Sequence, residues 1–190
     1  MKIALLGYGK MGKAIETIAI ERGHQVVLKT NSSTLFSPDD LEDTDVAIEF
    51  STPKNAVYNI MTCFEANVPV VVGTTGWYKD FKMISERCIN EKRTLLYATN
   101  FSVGVNLFFE INKRLAELMN PYPQYASEIE EIHHTEKLDP PSGTAITLAE
   151  QVIENLELKK GWKNDSEVKD SELLINSKRE ENVPGTHIVK

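Results

Sequence analysis

The stretch KIALLGYGKMGKAIETIAIERGHQVVL, residues 2–28, decides the fold. Lys2-Ile3-Ala4-Leu5-Leu6 is an apolar run of strand length that stops at a glycine. Gly7-Tyr8-Gly9-Lys10-Met11-Gly12 follows, a complete G-x-G-x-x-G. Behind it Ala14, Ile15, Ile18 and Ala19 keep helical spacing until Gly23, and His24 to Leu28 reads as a second strand. Strand, glycine turn, helix, strand is the context in which this motif means dinucleotide binding. Gly7 permits the tight turn, Gly9 lets the backbone approach a pyrophosphate, and Gly12 lets helix and strand pack closely. The N–H groups at the helix start then face the phosphates. A glycine-rich turn without a ligand is the competing reading, and the βαβ context weighs against it.

The same alternation continues. Asp45 to Phe50 reads as a third strand, ending in Ser51-Thr52-Pro53, with a helix starting at Pro53, a residue suited to the first helical turn. Val68 to Val72 is a fourth strand, running into Gly73-Thr74-Thr75-Gly76. Thr94 to Tyr97 is a fifth, running into Ala98-Thr99-Asn100-Phe101-Ser102. The class is therefore α/β, a doubly wound parallel sheet of the Rossmann type with ligands at the carboxyl ends of its strands. Gly73, Thr74 and Thr75, with Ala98, Thr99, Asn100 and Phe101, are the expected contacts on the nicotinamide side. The second strand ends in Lys29-Thr30-Asn31-Ser32-Ser33, with no acid until Asp39. A 2′-phosphate would meet a cation there instead of the carboxylate that binds a free ribose, so NADPH should serve at least as well as NADH. A solvated lysine at a strand end is the plainer reading of Lys29.

Beyond Ser102 the pattern turns helical in LFFEINKRLAELMN, residues 107–120, and Pro121-Tyr122-Pro123 closes it. The domain boundary falls near residues 100 to 105, giving a dinucleotide-binding domain at 1–102 and a second domain at 103–190. A strand-like segment from Tyr125 to Ile132 delivers EEIHHTEKLDPPSGTA, residues 130–145. His24 and His187 are the other histidines, with no H-x₃-H or cysteine partner, so the spacing argues against a metal site. Ser142 lacks the strand-to-helix elbow of a hydrolase nucleophile. The better reading is a site for an anionic, unsaturated acceptor. Imidazole is the usual proton donor near neutral pH. Lys137 offers a cation, and Ser142-Gly143-Thr144 at a helix N-terminus offers N–H groups for a carboxylate. Asp139-Pro140-Pro141 stiffens the loop by fixing φ. Such a set suits hydride transfer coupled to protonation.

Bulk properties set limits. With 190 residues, 41% hydrophobic and 26% charged, the chain can build a core. A net charge of −7 argues against a nucleic-acid partner and requires a local cationic patch for any anionic ligand. Cys63 and Cys88 form neither a disulfide framework nor a metal knuckle. The apolar run at the N-terminus is too short for a signal segment or a membrane span, and a cytoplasmic protein is expected.

The order G-x-G-x-x-G, GTTG, NFSVGVN and E-x-HH-x-x-K-x-D-x-PSGTA resembles the dihydrodipicolinate reductase (4-hydroxy-tetrahydrodipicolinate reductase) family of lysine and diaminopimelate synthesis, over nearly the whole chain. The resemblance implies an N-terminal Rossmann domain, and a C-terminal α+β domain that binds a small dicarboxylate substrate and builds a homotetramer. It implies that Gly7 to Gly12 hold the pyrophosphate of NADPH or NADH. His133 is implied as the proton donor and Lys137 as its catalytic partner. His134, Lys137, Ser142, Gly143 and Thr144 are implied to grip the substrate's carboxylates. Two departures stand out. The family's Asp-Ala-Pro is here Asp139-Pro140-Pro141, which removes one backbone N–H. Family members also continue for some tens of residues past the position of Lys190, so the second domain is expected to be truncated, with an exposed strand edge. Another two-domain dehydrogenase of amino-acid metabolism and a non-catalytic dinucleotide-binding module are the rival readings.

Overall fold

A computed structural model describes residues 1–190 except Ser32, Leu35, Leu138, Asp139, Asp165 and Ser166. The expectations for Ser32 at the strand end and for Asp139 in the proline loop therefore lie outside the described residues. The chain divides into two units, Met1–Thr99 and Asn100–Lys190.

In the first unit β1 (Lys2–Leu6), α1 (Lys10–Glu21), β2 (Gln25–Thr30), β3 (Val46–Glu49), α2 (Pro53–Glu65), β4 (Val70–Val72), α3 (Phe81–Asn90) and β5 (Leu95–Tyr97) alternate. Their sheet has the order β2-β1-β3-β4-β5, and every pairing is parallel. The period-2 pleat sends Ala4, Leu6 and Ala47 to one face and Ile3, Leu5, Val46 and Ile48 to the other. On the first face α2 seats Ala56, Ile60, Cys63 and Phe64, all fully buried. Each of the larger side chains there contributes about 1.5–3 kcal/mol by burial. Ala19 of α1 packs on the opposite face. The strand order reverses between β1 and β3, the switch point where open parallel sheets bind ligands. Strand β2 starts one residue later than its sequence pattern, because the His24 N–H closes α1 by bonding the Ala19 carbonyl at 2.9 Å.

The second unit comprises α4 (Val103–Met119), β6 (Glu128–His133), α5 (Gly143–Asn155), β7 (Gly161–Lys163), β8 (Glu172–Arg179) and β9 (Thr186–Val189). The sheet order is β7-β8-β6-β9; β6 runs parallel to β8 and antiparallel to β9. Ile129, Leu173 and Ile175 on one face meet Phe109 of α4 and Ala145, Leu148, Ala149 and Val152 of α5. Buried Asn112 ties the two helices, donating to the Leu148 carbonyl at 3.0 Å and to Gln151 Oε1 at 3.1 Å. On the other face Glu130 pairs with Lys178 at 2.7 Å and with Lys190 at 3.5 Å. Strand β6 begins at Glu128 and not at Tyr125, because the Tyr125 N–H turns back to the Tyr122 carbonyl. Among the described residues no helix is long and apolar enough to cross a membrane.

Candidate active site

The glycine loop separates into positions that build the fold and one that stays open. Gly7 has φ +105°, and a Cβ there would lie 2.2 Å from the Phe50 carbonyl oxygen. A Cβ on Gly12 would lie 2.3 Å from the Gly7 oxygen. Gly9 has nothing within 4 Å of that position. It precedes α1 with no side-chain cap and no acidic residue in the first turn, which leaves the helix dipole open to an anion. Gly9, exposed Lys10 and Met11, Phe50, Ser51, Gly73, Thr74 and Thr75 line one cleft of about 400 Å³ at the carboxyl ends of β1, β3 and β4. Thr74 is inward, its Oγ1 accepting from the Ser51 N–H at 2.8 Å, whereas Thr75 is exposed to the cleft. Gly9→Ala should therefore fold normally and raise the KM for dinucleotide about tenfold, roughly 1.4 kcal/mol. Gly12→Ala should lower the melting point, since overpacking costs about 1–3 kcal/mol. Thermal melts beside cofactor titrations separate the two.

Lys29 carries partners already. Its Nζ is 3.1 Å from Glu16 Oε1 and 4.9 Å from the centre of the Tyr8 ring, and the Tyr8 hydroxyl donates to Glu16. Hydrogen bonds from Tyr8 and then Lys29 hold the Glu16 carboxyl below its ordinary range, and the bond to Glu16 raises Lys29. A 2′-phosphate at this corner would share the lysine with Glu16. Ala98 donates its N–H to the Val72 carbonyl at 3.3 Å. Asn100 is bound into the start of α4: its Oδ1 accepts from the Ser102 N–H at 2.9 Å and its carbonyl from Asn106 Nδ2 at 3.0 Å. Phe101, beside it, is exposed.

In the second unit the sheet register assembles a polar group on the core-facing side. Ile129, Glu131 and His133 share one face of β6, so the apolar row becomes polar toward the strand's end. Glu131 pairs in register with Ser177 of β8 and His187 of β9, and His133 pairs with Arg179. Glu131 is fully buried. Its Oε2 accepts from the Ser142 N–H at 3.0 Å and its Oε1 from the Ser177 hydroxyl at 2.7 Å. Arg179 Nη1 stands 3.7 Å from Oε1. His133 Nε2 and His187 Nε2 lie 3.5 and 3.7 Å from Oε2. Burial pushes the Glu131 carboxyl up, but the hydrogen bonds from Ser142 and Ser177 and the nearby His133 outweigh it and hold it low. Burial lowers His133, Glu131 pulls it up, and Lys137, Arg179 and His134 push it down; the net result is below 6.5. His187 is lowered as well, by burial first and then by His133.

Ser142 caps α5 by accepting the Ala145 N–H at 3.2 Å, and its Oγ lies 3.0 Å from His187 Nε2. Its own N–H belongs to Glu131, so the helix-start N–H groups left to receive a carboxylate are those of Gly143 and Thr144. The Lys137 N–H turns back to the His134 carbonyl at 3.1 Å, and Arg179 Nε donates to the Lys137 carbonyl at 3.0 Å. Lys137 and Arg179 thus frame a cationic rim around His133. Gly185 presses on that imidazole; a Cβ there would lie 3.0 Å from Cε1.

Comparison with known proteins places both halves in one family. Residues 1–101 match the model for dihydrodipicolinate reductase, N-terminus, and residues 104–190 the model for its C-terminus. The chain belongs to the dihydrodipicolinate reductase family. A 4-hydroxy-tetrahydrodipicolinate reductase of Christiangramia forsetii is 52% identical across 100% of this chain and 79% of its own length. One from Neisseria gonorrhoeae is 37% identical over 72% of this chain and 50% of its own. Among solved structures, dipicolinate-bound dihydrodipicolinate reductase from Paenisporosarcina sp. TG-14 superposes with a TM-score of 0.70 at 25% identity, covering 100% of this chain and 82% of that one. Aspartate dehydrogenase from Thermotoga maritima, at 12% identity and a TM-score of 0.51, shares the fold.

For this member of the reductase family, the sequence motif singled out His133, His134, Lys137 and Ser142 to Thr144, but gave no role to Glu131, Ser177, Arg179, His187 or Gly185. The signal for Glu131 was present in its i, i+2 spacing to His133 on a strand. The other four depend on strand register, which has no local signature.

Proposed function

We infer that this chain catalyses the reduction of 4-hydroxy-tetrahydrodipicolinate, or its dehydrated form dihydrodipicolinate, to tetrahydrodipicolinate in the diaminopimelate route to lysine. The observation that carries the reading is His133, nine-tenths buried on β6 beside Glu131, with Lys137 and Arg179 at its rim and the α5 N-terminus behind it. NADPH or NADH, when bound at the glycine loop, supplies the hydride. His133 delivers the proton that completes reduction of the unsaturated bond, and Lys137 supports it by its positive charge. His134, Lys137 and the N–H groups of Gly143 and Thr144 take the two carboxylates, whose negative charge raises the His133 pKa in the complex. Ser142 acts one step back, orienting Glu131 and capping α5.

Both nucleotides are within reach of the Tyr8, Lys10 and Lys29 corner, and NADPH is used at least as well as NADH. The test is NADPH and NADH oxidation by this chain, with substrate generated freshly from pyruvate and aspartate semialdehyde. Turnover with a ratio of specificity constants no more than about tenfold in favour of NADH is expected, about 1.4 kcal/mol. Tight nucleotide binding without turnover would favour the binding module. The chain works as a homotetramer, which light scattering of the purified protein would check. The free thiols Cys63 and Cys88 fit a reducing, cytoplasmic setting.

A further inference from the structure

We propose that Glu131, His133 and His187 form a binding site for a divalent transition-metal cation of the zinc class, assembled by the register of β6 and β9. The sequence spacing argued against a metal because it counts neighbours along the chain. Register pairs Glu131 with His187 across two antiparallel strands, and the pleat puts His133 on the same face. One donor atom from each residue then lies within 4.8 Å of the other two.

The distances fit the ion. Donors 2.0–2.1 Å from a tetrahedral zinc sit about 3.3 Å apart. Glu131 Oε2 is 3.5 Å from His133 Nε2 and 3.7 Å from His187 Nε2, so those two pairs close by a few tenths of an ångström, while the two imidazoles, within 4.8 Å of each other, draw together by up to about 1.5 Å through side-chain rotation. Two imidazoles and one carboxylate make a three-ligand set that leaves a fourth position for water or a substrate oxygen.

The lone pairs are also in place. Among the described residues His133 Nε2 is buried without a hydrogen-bond partner, in a residue only 9% exposed. Such an orphan costs free energy unless something fills the space in front of it. Ser142 Oγ accepts the Ala145 N–H and lies 3.0 Å from His187 Nε2, so its hydroxyl can donate to that nitrogen in the tautomer that carries a lone pair there. A bound cation displaces that contact. Glu131 Oε1 is fixed by the Ser177 hydroxyl and Arg179, and Oε2 spends one lone pair on the Ser142 N–H and keeps one. Outer hydrogen bonds of this kind orient metal-binding carboxylates. Lys137 and Arg179 oppose a cation here, and the Glu131 carboxylate, itself a ligand with Arg179 Nη1 3.7 Å from its Oε1, is the charge that offsets them.

A cation on His133 Nε2 removes the proton donor, so occupancy should inhibit reduction; this consequence rests on the function inferred above. Binding itself does not, and is measured first. Co²⁺ titrated into the chain should give one equivalent with the intense visible bands of tetrahedral coordination, displaced by Zn²⁺. His187→Gln and Glu131→Gln should each weaken it at least tenfold, and His24→Gln should leave it unchanged. Equal affinity in His187→Gln, or no visible band, would overturn the site. Zn²⁺ should also raise the unfolding midpoint of the unsubstituted chain and not that of His187→Gln, which guards against a misfolded variant. An equal rise in both would again overturn it. In the turnover arm Zn²⁺ should suppress NADPH oxidation at concentrations that saturate the Co²⁺ spectrum. Saturation without inhibition would leave the metal site standing and withdraw His133 from protonation, so the two readings fail separately.

Discussion

His133→Gln lowers kcat about 10²-fold, the lower end for loss of a general acid, with the melting point and dinucleotide affinity nearly unchanged. Glutamine keeps the length and a donor but cannot release a proton near neutral pH. The pH profile distinguishes this role from a packing role. In the free protein His133 lies below its ordinary 6.5, with burial as the largest cause. Since kcat/KM reports the free enzyme, it should fall as pH rises through that lowered value. The complex places a dianion beside the imidazole and lifts its pKa, so kcat should hold to higher pH than kcat/KM does. In His133→Gln the limb that belongs to this group disappears from both profiles. A variant that keeps wild-type kcat, or loses activity while retaining the same limb, would remove His133 from proton transfer.

The same shift has a stability consequence of definite sign. A histidine whose folded pKa lies below its unfolded one binds fewer protons in the native state. His133 and His187 therefore contribute stability that is complete above about 6.5 and is lost as pH falls toward their lowered folded values. Acid softening of the second unit should begin near pH 6.5, earlier than carboxylate titration alone would produce. His187→Gln should remove part of it.

How much of this could be read along the chain differs between the two halves. The dinucleotide half is built from local units, each strand delivering its loop directly, so Gly7, Gly9, Gly12 and the GTTG turn could be placed by pattern. What that pattern could not show was which atoms impose the division of labour it assigned. Gly12 is required by the Gly7 carbonyl and Gly7 by Phe50, whereas only Gly9 faces open space. Nor could it show that Lys29 is already paired with Glu16 one helix away. In the second half the HH-x-x-K and SGT blocks marked the right loop and helix start. The partners that tune them arrive from β8 and β9, more than 40 residues on, and they depend on a register that no short motif encodes. Ser142 shows the limit most clearly: its place was legible, but its N–H turns to Glu131 instead of outward.

Glu131→Ala is expected to be the most destabilising single change in the second unit. The carboxylate is fully buried and holds the Ser142 N–H and the Ser177 hydroxyl, with Arg179 at 3.7 Å. Its removal leaves those donors and a guanidinium facing a cavity. Breaking a buried charged pair from one side costs about 3–5 kcal/mol. Against a total of about 5–15 kcal/mol for a domain, that should lower the unfolding midpoint of a unit this size by well over 10 °C, at about 4–8 °C per kcal/mol. Glu131→Gln keeps the volume and one acceptor and should recover more than half of the loss. The sign of the pH dependence then isolates the charge. Glu131 has a folded pKa held below its ordinary 4.5, so its contribution is present above that value and vanishes as pH falls through the lowered one. The gap in stability between the native chain and Glu131→Gln should thus narrow as pH falls below about 4.5 and through the lowered folded value. Activity should fall in both variants, because His133 and the cap of α5 each lose the group that orients them. Thermal melts across pH read this directly. A Glu131→Ala protein that melts within a degree or two of the native chain would mean that the buried carboxylate holds nothing together.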